Sequence, residues 1–348
     1  MFKQLSSPHA HGPAKTSWVM QQVSLALLPG LFVLTSFYGW GNLINMLLAI
    51  VFALGFEAII IALRKRPVLF YLGDFSAVVT AMLLALSIPP YAPWWVTLIG
   101  VFFAIPVAKH LYGGMGFNPF NPAMVGYIVL LISFPVQMVE WAAPRTMTDL
   151  PGLGEALSYI FLGIHPPDGI TAATALDLVK QNNSLLLDQL WEQTPQLATA
   201  SFASAGSEWV NVAFFLGGLY LLWRKLYTWH APVAMLVTLF LLSAIFYDGG
   251  SSASKGSPLF HLFTGATMLG AFFIITDPVS GCTSNRGRLI FGIGVGLLVF
   301  IIRAWGNYPD AVAFGVLLMN FAAPLVDYYT QPRVYGHEKR TNVRIHKE

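Results

Sequence analysis

Long apolar runs separated by short polar or basic turns dominate this chain. Runs able to cross roughly 30 Å of hydrocarbon fall near 21–40, 43–63, 74–88, 94–111 and 122–139. After a polar interval they resume near 209–223, 232–247, 259–276, 289–304 and 310–326. The pattern predicts an all-α polytopic membrane protein of about ten transmembrane helices. The third run of each set is short for a full crossing and rich in small or polar residues. Phe75-Ser76-Ala77, ending in Ser87-Ile88-Pro89, matches Phe263-Thr264-Gly265, ending in Thr276-Asp277-Pro278. Five spans per set put the second set in the opposite orientation. Two inverted five-helix repeats are therefore expected, with discontinuous helices at the matched third positions. Close packing of alanine-rich helices is the plainer explanation of the same small residues.

The expected organisation follows: a cytoplasmic N-terminal segment (1–20), a first membrane repeat (21–139), an outer loop subdomain (140–208), a second repeat (209–327) and a basic cytoplasmic tail (328–348). Charge supports this reading. With both termini inside, fifteen of the nineteen lysines and arginines fall on the inner side, Lys109 among them. Only Arg145, Lys180, Lys255 and Arg303 fall outside, a strong positive-inside bias. The interval 140–208 is mostly acidic and too long for a plain connector. An amphipathic helix is expected over 175–191, with Leu176, Val179, Leu186, Leu187 and Leu190 on its apolar side.

Composition narrows the chemistry. The chain is 56% apolar and only 10% charged, well below the quarter of charged residues in soluble domains. Its mean hydropathy is +0.64. A single cysteine, Cys282, excludes an intramolecular disulfide and any cysteine-cradled cluster supplied by this chain alone. The histidines show no metal-ligand spacing beyond His9 and His11, and no phosphate-binding glycine loop, catalytic triad or nucleic-acid signature is present. No catalytic residue and no metal site are assigned.

The interval 140–208 holds Asp168-Gly169-Ile170-Thr171-Ala172-Ala173-Thr174-Ala175-Leu176-Asp177. Covalent attachment of a group to a hydroxyl needs that hydroxyl on open backbone, where a modifying enzyme can reach it. Gly169, Ala172 and Ala173 keep the approach to Thr174 open, and Asp168 is placed to help bind an assisting metal. The same residues also read as an ordinary helix start. Thr171 or Thr174 would be the N-cap, with Asp177 completing a capping box relative to Thr174.

This stretch resembles the flavinylation site of the RnfD/NqrB family. So do Gly114-Met115-Gly116-Phe117-Asn118-Pro119-Phe120-Asn121-Pro122-Ala123 and Thr276-Asp277-Pro278-Val279-Ser280, and the resemblance covers essentially the whole chain. The family motif usually runs Ser/Thr-Gly-Ala-Thr, with FMN esterified to the last threonine. Here it reads Thr171-Ala172-Ala173-Thr174, with alanine for glycine at the second place. The resemblance implies FMN bonded through a phosphoester to Thr174 and a further non-covalent flavin, riboflavin in the related NqrB. It also implies a role within a bacterial inner-membrane complex coupling electron transfer between ferredoxin and NAD to sodium or proton movement. The partners would be the other Rnf complex subunits (A, B, C, E and G), a flavin transferase and membrane lipid, with no nucleic acid. The flavin loop would be periplasmic.

Thr264-Gly265-Ala266-Thr267 matches the four-residue pattern better, but it lies in an apolar run where a soluble transferase has no access. A non-covalent ligand or helix packing suits it better. Asn118, Asn121 and Asp277 sit at chain breaks next to predicted spans. With Thr264 and Thr267 they are candidates for a second flavin or an ion path, tight-turn chemistry being the alternative. Glu57, an acid in an apolar run, pairs with Arg64 two turns on or takes part in ion movement. Cys282 reads as an inert small residue or as one facing a partner's metal. The competing reading of the whole chain is a solute channel of urea-transporter-like fold without a covalent cofactor, and a weaker one is a structural anchor.

Overall fold

The structure, a computed structural model, describes residues 15–167, 169–182, 184–251, 254–308 and 311–330. Among them the chain is helical, and extended pairing is limited to one antiparallel bridge between Ala142 and Thr171. The principal helices before the segment 140–206 are α1 (Thr16–Tyr38), α2 (Gly41–Leu63), α3 (Ser76–Ala85), α4 (Trp94–His110) and α5 (Pro122–Ser133). The segment 140–206 carries α6 (Leu153–Leu162), α7 (Ala175–Gln181) and α8 (Leu187–Gln193). Then follow α9 (Ser207–Trp223), α10 (His230–Ile245), α11 (Pro258–Phe263), α12 (267–274), α13 (Asn285–Trp305) and α14 (Val312–Thr330).

Four of these, α1, α2, α13 and α14, are long and apolar enough to cross a membrane unaided. The other expected crossings are shorter or interrupted, and the interruptions have local causes. The run at 74–88 is helical only over α3. A separate turn, Val68–Leu72, precedes it, and Phe75 between them sits at φ +61°, a conformation that costs a bulky residue. Asp74 holds this break by accepting from the Ser76 amide at 2.7 Å and the Ser76 hydroxyl at 2.5 Å. The run at 122–139 breaks at Phe134, because a residue before proline is pushed out of the helical region; Pro135–Val139 is a separate turn. The run at 259–276 breaks at Thr264-Gly265-Ala266, with Gly265 at φ +59°. Two segments widen into π-type turns, Phe103–His110 and Gly270–Ile274. Five-residue hydrogen bonds close them, Leu111 N to Pro106 O and Ile275 N to Gly270 O, both at 3.0 Å.

In the first half, α2 packs on α3 and α4, and α4 on α5. In the second half, α10 packs on α11, α12 and α13, and α13 on α14. The halves meet where α1 lies against α9 and α5 against α14. Glycine sets the closest approaches. A Cβ on Gly217 would stand 2.3 Å from the Ala26 carbonyl oxygen, one on Gly292 2.4 Å from that of Ala231, and one on Gly126 2.5 Å from that of Gly100. Backbones this close form broad van der Waals contacts, the main source of helix association in lipid. Gly217→Leu is expected to part α1 from α9 and cost about 1–3 kcal/mol, read as a lower melting temperature in detergent. An unchanged melt would show that this contact carries no stability. Outward-facing Phe32, Leu63 and Phe321 are each more than 70% exposed, as an apolar belt in contact with lipid requires.

The segment 140–206 differs from the expectation of a single amphipathic helix over 175–191. α7 ends at Gln181 and α8 begins at Leu187, and between them Asn182 Oδ1 accepts from the Leu185 amide and Asn182 Nδ2 donates to the Leu185 carbonyl. The side chain thus closes the turn and replaces the next helical bonds. Leu176, Val179, Leu187 and Leu190 are buried together, but Leu186 is 50% exposed. An apolar periodicity that continued across the turn hid the break.

Candidate functional site

Thr174 is the N-cap of α7. Its Oγ1 accepts from the Asp177 amide at 3.3 Å and donates to Asp177 Oδ2 at 2.6 Å, while the Thr174 amide donates to that oxygen at 3.2 Å. The helix-start reading of these residues is therefore correct, and it leaves the threonine half-buried at a helix end. Upstream, Ala143 N donates to Ile170 O at 2.8 Å and Ala172 N to Trp141 O at 2.9 Å. This two-residue ribbon fixes Thr171 and Ala172 in extended backbone. The left-handed conformation in the motif belongs to Gly169, at φ +95°, so alanine at position 172 brings no strain. Asp168 lies outside the described residues.

Ala172, Ala173, Thr174, Leu176 and Asp177 line a cavity of about 360 Å³. Its walls come from both halves of the chain: Met124, Tyr127 and Trp141 on one side, Phe214, Leu269 and Tyr308 on the other. Thr264 and Gly265 line the same cavity. Two separate sequence expectations, the threonine motif and the break in the third run, thus meet in one place. Lys180 fastens α7 there. Its Nζ donates to Tyr308 O at 2.6 Å and to Ile302 O at 3.3 Å, near the carbonyl end of α13, which favours a cation. Burial holds the Lys180 pKa below its ordinary value; Asp177 opposes that shift and Lys255 adds to it.

Thr267 is fully buried, and its hydroxyl donates to the carbonyls of His261 and Thr264, both at 2.9 Å. Thr264 is also buried, donating to Phe260 O at 2.6 Å. Asn211 of α9 clamps the break between them, donating to the carbonyls of Phe263 and Gly265 and accepting from the Met268 amide. These hydroxyls serve the chain break, and Thr267 has no open face for a modifying enzyme.

Asn118, Asn121 and Asp277 line a second cavity, of about 710 Å³, with Lys225 and Arg288. Asn121 caps α5 through the amides of Ala123 and Met124. Asp277 accepts from the Val279 amide at 3.1 Å and the Ser280 hydroxyl at 2.7 Å. Turn chemistry accounts for these side chains and also places them around one space. Thr264 belongs to the first cavity, so the five candidates for a second site do not form one group. α12 and the two residues after it contribute to both cavities: Ile274 lines the first, Phe273, Ile275 and Thr276 the second.

A family model described as the NQR2, RnfD, RnfE family matches residues 3–336. The chain belongs to this family. Its relatives include proteins named as the D component of an ion-translocating oxidoreductase complex. One from Cellvibrio japonicus (strain Ueda107) is 59% identical over 339 residues, covering 96% of this chain and 95% of the relative. One from Ectopseudomonas mendocina (strain ymp) is 61% identical over 336 residues, covering 97% and 96%. One from Aliivibrio salmonicida (strain LFI1238) is 50% identical over 350 residues, covering 96% and 98%.

In this family member Glu57 pairs with Lys109, not with Arg64. Lys109 Nζ lies 2.8 Å from both carboxylate oxygens and donates to Ser76 Oγ at 2.7 Å; His110 Nε2 stands 3.5 Å from Glu57 Oε1. Arg64 instead caps carbonyls of His110 and Gly113. Lys109, expected among the inner loop charges, is 3% exposed, because the π-type turn carries it inside α4. Arg303 is likewise buried within α13. Cys282 is buried, and burial pushes its thiol pKa up to about 12.

Sequence reasoning missed Gln196, Ser204, Trp141 and Tyr308 at the first cavity. No local pattern marks them, since they reach it only through the folding of the segment 140–206 onto the long apolar helices. Gln196 Oε1 and Ser204 Oγ are buried without a hydrogen-bond partner among the described residues. An apolar, aromatic-lined space with a few orphaned polar atoms suits a planar heterocycle such as a flavin ring.

Proposed function

We propose that this chain is the flavin-carrying membrane subunit of an ion-translocating oxidoreductase complex, with FMN esterified to Thr174 Oγ1. One observation carries the reading: a half-buried threonine hydroxyl stands among small residues at the edge of an aromatic-lined cavity that both halves of the chain enclose. Tyr127, Trp141, Phe214 and Tyr308 would bind and shield the flavin ring. Lys180 and the 141–143 ribbon would hold its tether in place. Asp177 Oδ2 already accepts the hydroxyl hydrogen bond, so this carboxylate is placed to take the proton as Thr174 Oγ1 attacks the flavin phosphate of a phosphoanhydride donor, whose other phosphate leaves. A bound flavin supplies a carrier for one or two electrons, and tethering prevents its loss to water. The cavity at Asn118, Asn121 and Asp277 is of a size for a second, non-covalent flavin.

The membrane arrangement proposed with it is ten spans in two inverted five-helix repeats, with both termini cytoplasmic and the flavin loop periplasmic. The parallel packing order of the halves and the matched breaks before α3 and α12 support it. The further Rnf components, a flavin transferase and exchange of electrons between ferredoxin and NAD belong to the same proposal.

Mass spectrometry of the purified intact polypeptide tests the central point. The expected mass exceeds that of the bare chain by one flavin mononucleotide less the water lost in forming the ester, and a host lacking the transferase yields the bare mass. A bare mass from a competent host would instead favour the colourless solute channel. Topology has its own test. An impermeant thiol label applied outside is expected to modify a cysteine placed at Ser184 but not one at Lys65, with buried Cys282 giving little background. The opposite labelling pattern would invert the arrangement.

A further inference from the structure

We infer that Gln196 and Ser204 bind the polar pyrimidine edge of the flavin ring, an inference that rests on the flavin reading above. Gln196 lies in the short turn Pro195–Ala198, and Ser204 in the segment that leads into α9. Their side chains are 5% and 0% exposed, and both residues line the cavity that Thr174 lines. Gln196 Oε1 and Ser204 Oγ have no partner among the described residues. A buried polar atom left unpaired is costly unless something absent from the bare chain satisfies it.

The backbone around them is firmly held. Gln196 O accepts from the Ala205 amide at 3.0 Å, so the two side chains come from adjoining stretches of one turn. Ala205 O accepts from the Tyr38 hydroxyl at 3.4 Å. The buried Glu208 carboxylate accepts from the amides of Ser201, Phe202 and Ala203 at 2.9, 2.9 and 3.0 Å. A rigid frame that leaves two polar atoms free beside an apolar space is organised in advance for a ligand.

The chemistry of the pair selects one edge of a flavin. An amide oxygen accepts and a hydroxyl can donate. The pyrimidine edge of the isoalloxazine ring presents an N–H between two carbonyls, which matches both. The dimethylbenzene end presents no polar group and suits the remaining wall of Met124, Leu131, Phe214 and Leu269. A hydroxyl donating to a ring carbonyl favours the more electron-rich, reduced ring. The acceptor for the ring N–H orients the ring in both redox states. Ser204 therefore sets the potential, and Gln196 the placement.

The test uses the full-length protein with its covalent flavin, unmodified and as Ser204→Ala, Ser204→Thr and Gln196→Leu. Each is titrated with a chemical reductant and run on a denaturing gel. Ser204→Ala is expected to weaken the reduced state about tenfold relative to the oxidised one, which is about 59 mV downward for a one-electron step. Ser204→Thr, which keeps the donor, is expected to restore the parent potential. Gln196→Leu is expected to raise flavin fluorescence in the native protein as the ring loosens, with the covalent band unchanged. It carries the test alone where Ser204→Ala fails to accumulate. Parent potential and parent native fluorescence in variants that keep the covalent band would mean that water satisfies the pair. That result overturns this inference and leaves the flavin reading intact. A missing band in the unmodified protein overturns the flavin reading itself.

Discussion

Thr174→Val is expected to abolish the ultraviolet-excited flavin band on a denaturing gel, while Thr267→Val keeps it. Valine preserves the shape of threonine and removes only the nucleophilic oxygen. The lost N-cap costs about 1 kcal/mol against a typical stability of about 5–15 kcal/mol, so the protein still folds. A dark band from folded Thr174→Val protein is thus a chemical result, not a folding defect. Thr267 is the informative control, because it completes the more familiar four-residue pattern. Its hydroxyl is spent on the carbonyls of His261 and Thr264, and its removal costs about 1 kcal/mol without touching the tether. A dark band from Thr267→Val with a bright one from Thr174→Val would move the attachment site and sink the reading of the first cavity.

Lys109→Met is expected to destabilise the protein more than either threonine substitution. It strands the Glu57 carboxylate, itself 1% exposed, without its closest cation, and breaking a buried pair in this way costs about 3–5 kcal/mol. The double variant Glu57→Gln/Lys109→Met removes both charges and is expected to recover most of that loss, since well-packed neutral replacements of buried pairs are often near neutral. Melting temperatures of the parent, single and double variants in one detergent decide it. If the single variant melts with the parent, or the double variant melts below the single, the pair is not the electrostatic unit described.

How far the chain could be read in advance depended on the range of the interaction. Helical, apolar character was legible because it is written in local composition, and so were the breaks near Phe75 and Thr264, where small and polar residues interrupt apolar runs. The capping box at Thr174 and Asp177 was legible because its partners lie three residues apart. Pairing between Glu57 and Lys109, 52 residues apart, was not. Glu57 had a basic neighbour two turns away in sequence, and only the π-type turn at the end of α4 brings Lys109 to it instead. The split of the expected 175–191 helix was hidden by leucines that kept the period while Asn182 closed a turn. Gln196 and Ser204 were invisible altogether, because an orphaned polar atom is defined by what surrounds it in space.

The half-helix α12 and the two residues after it present Ile274 to the first cavity and Phe273, Ile275 and Thr276 to the second. If the two cavities open to opposite faces of a membrane, this has an electrical consequence. Voltage across a bilayer drops mainly where the insulating layer is thinnest. Each elementary charge carried through 100 mV corresponds to about 2.3 kcal/mol of work. A charge passing from one side of α12 to the other would move by little more than the width of one helix, about 10–12 Å. It would nonetheless perform much of the work of a full crossing, so a short hop at this partition is enough to make the turnover of such an assembly voltage-sensitive.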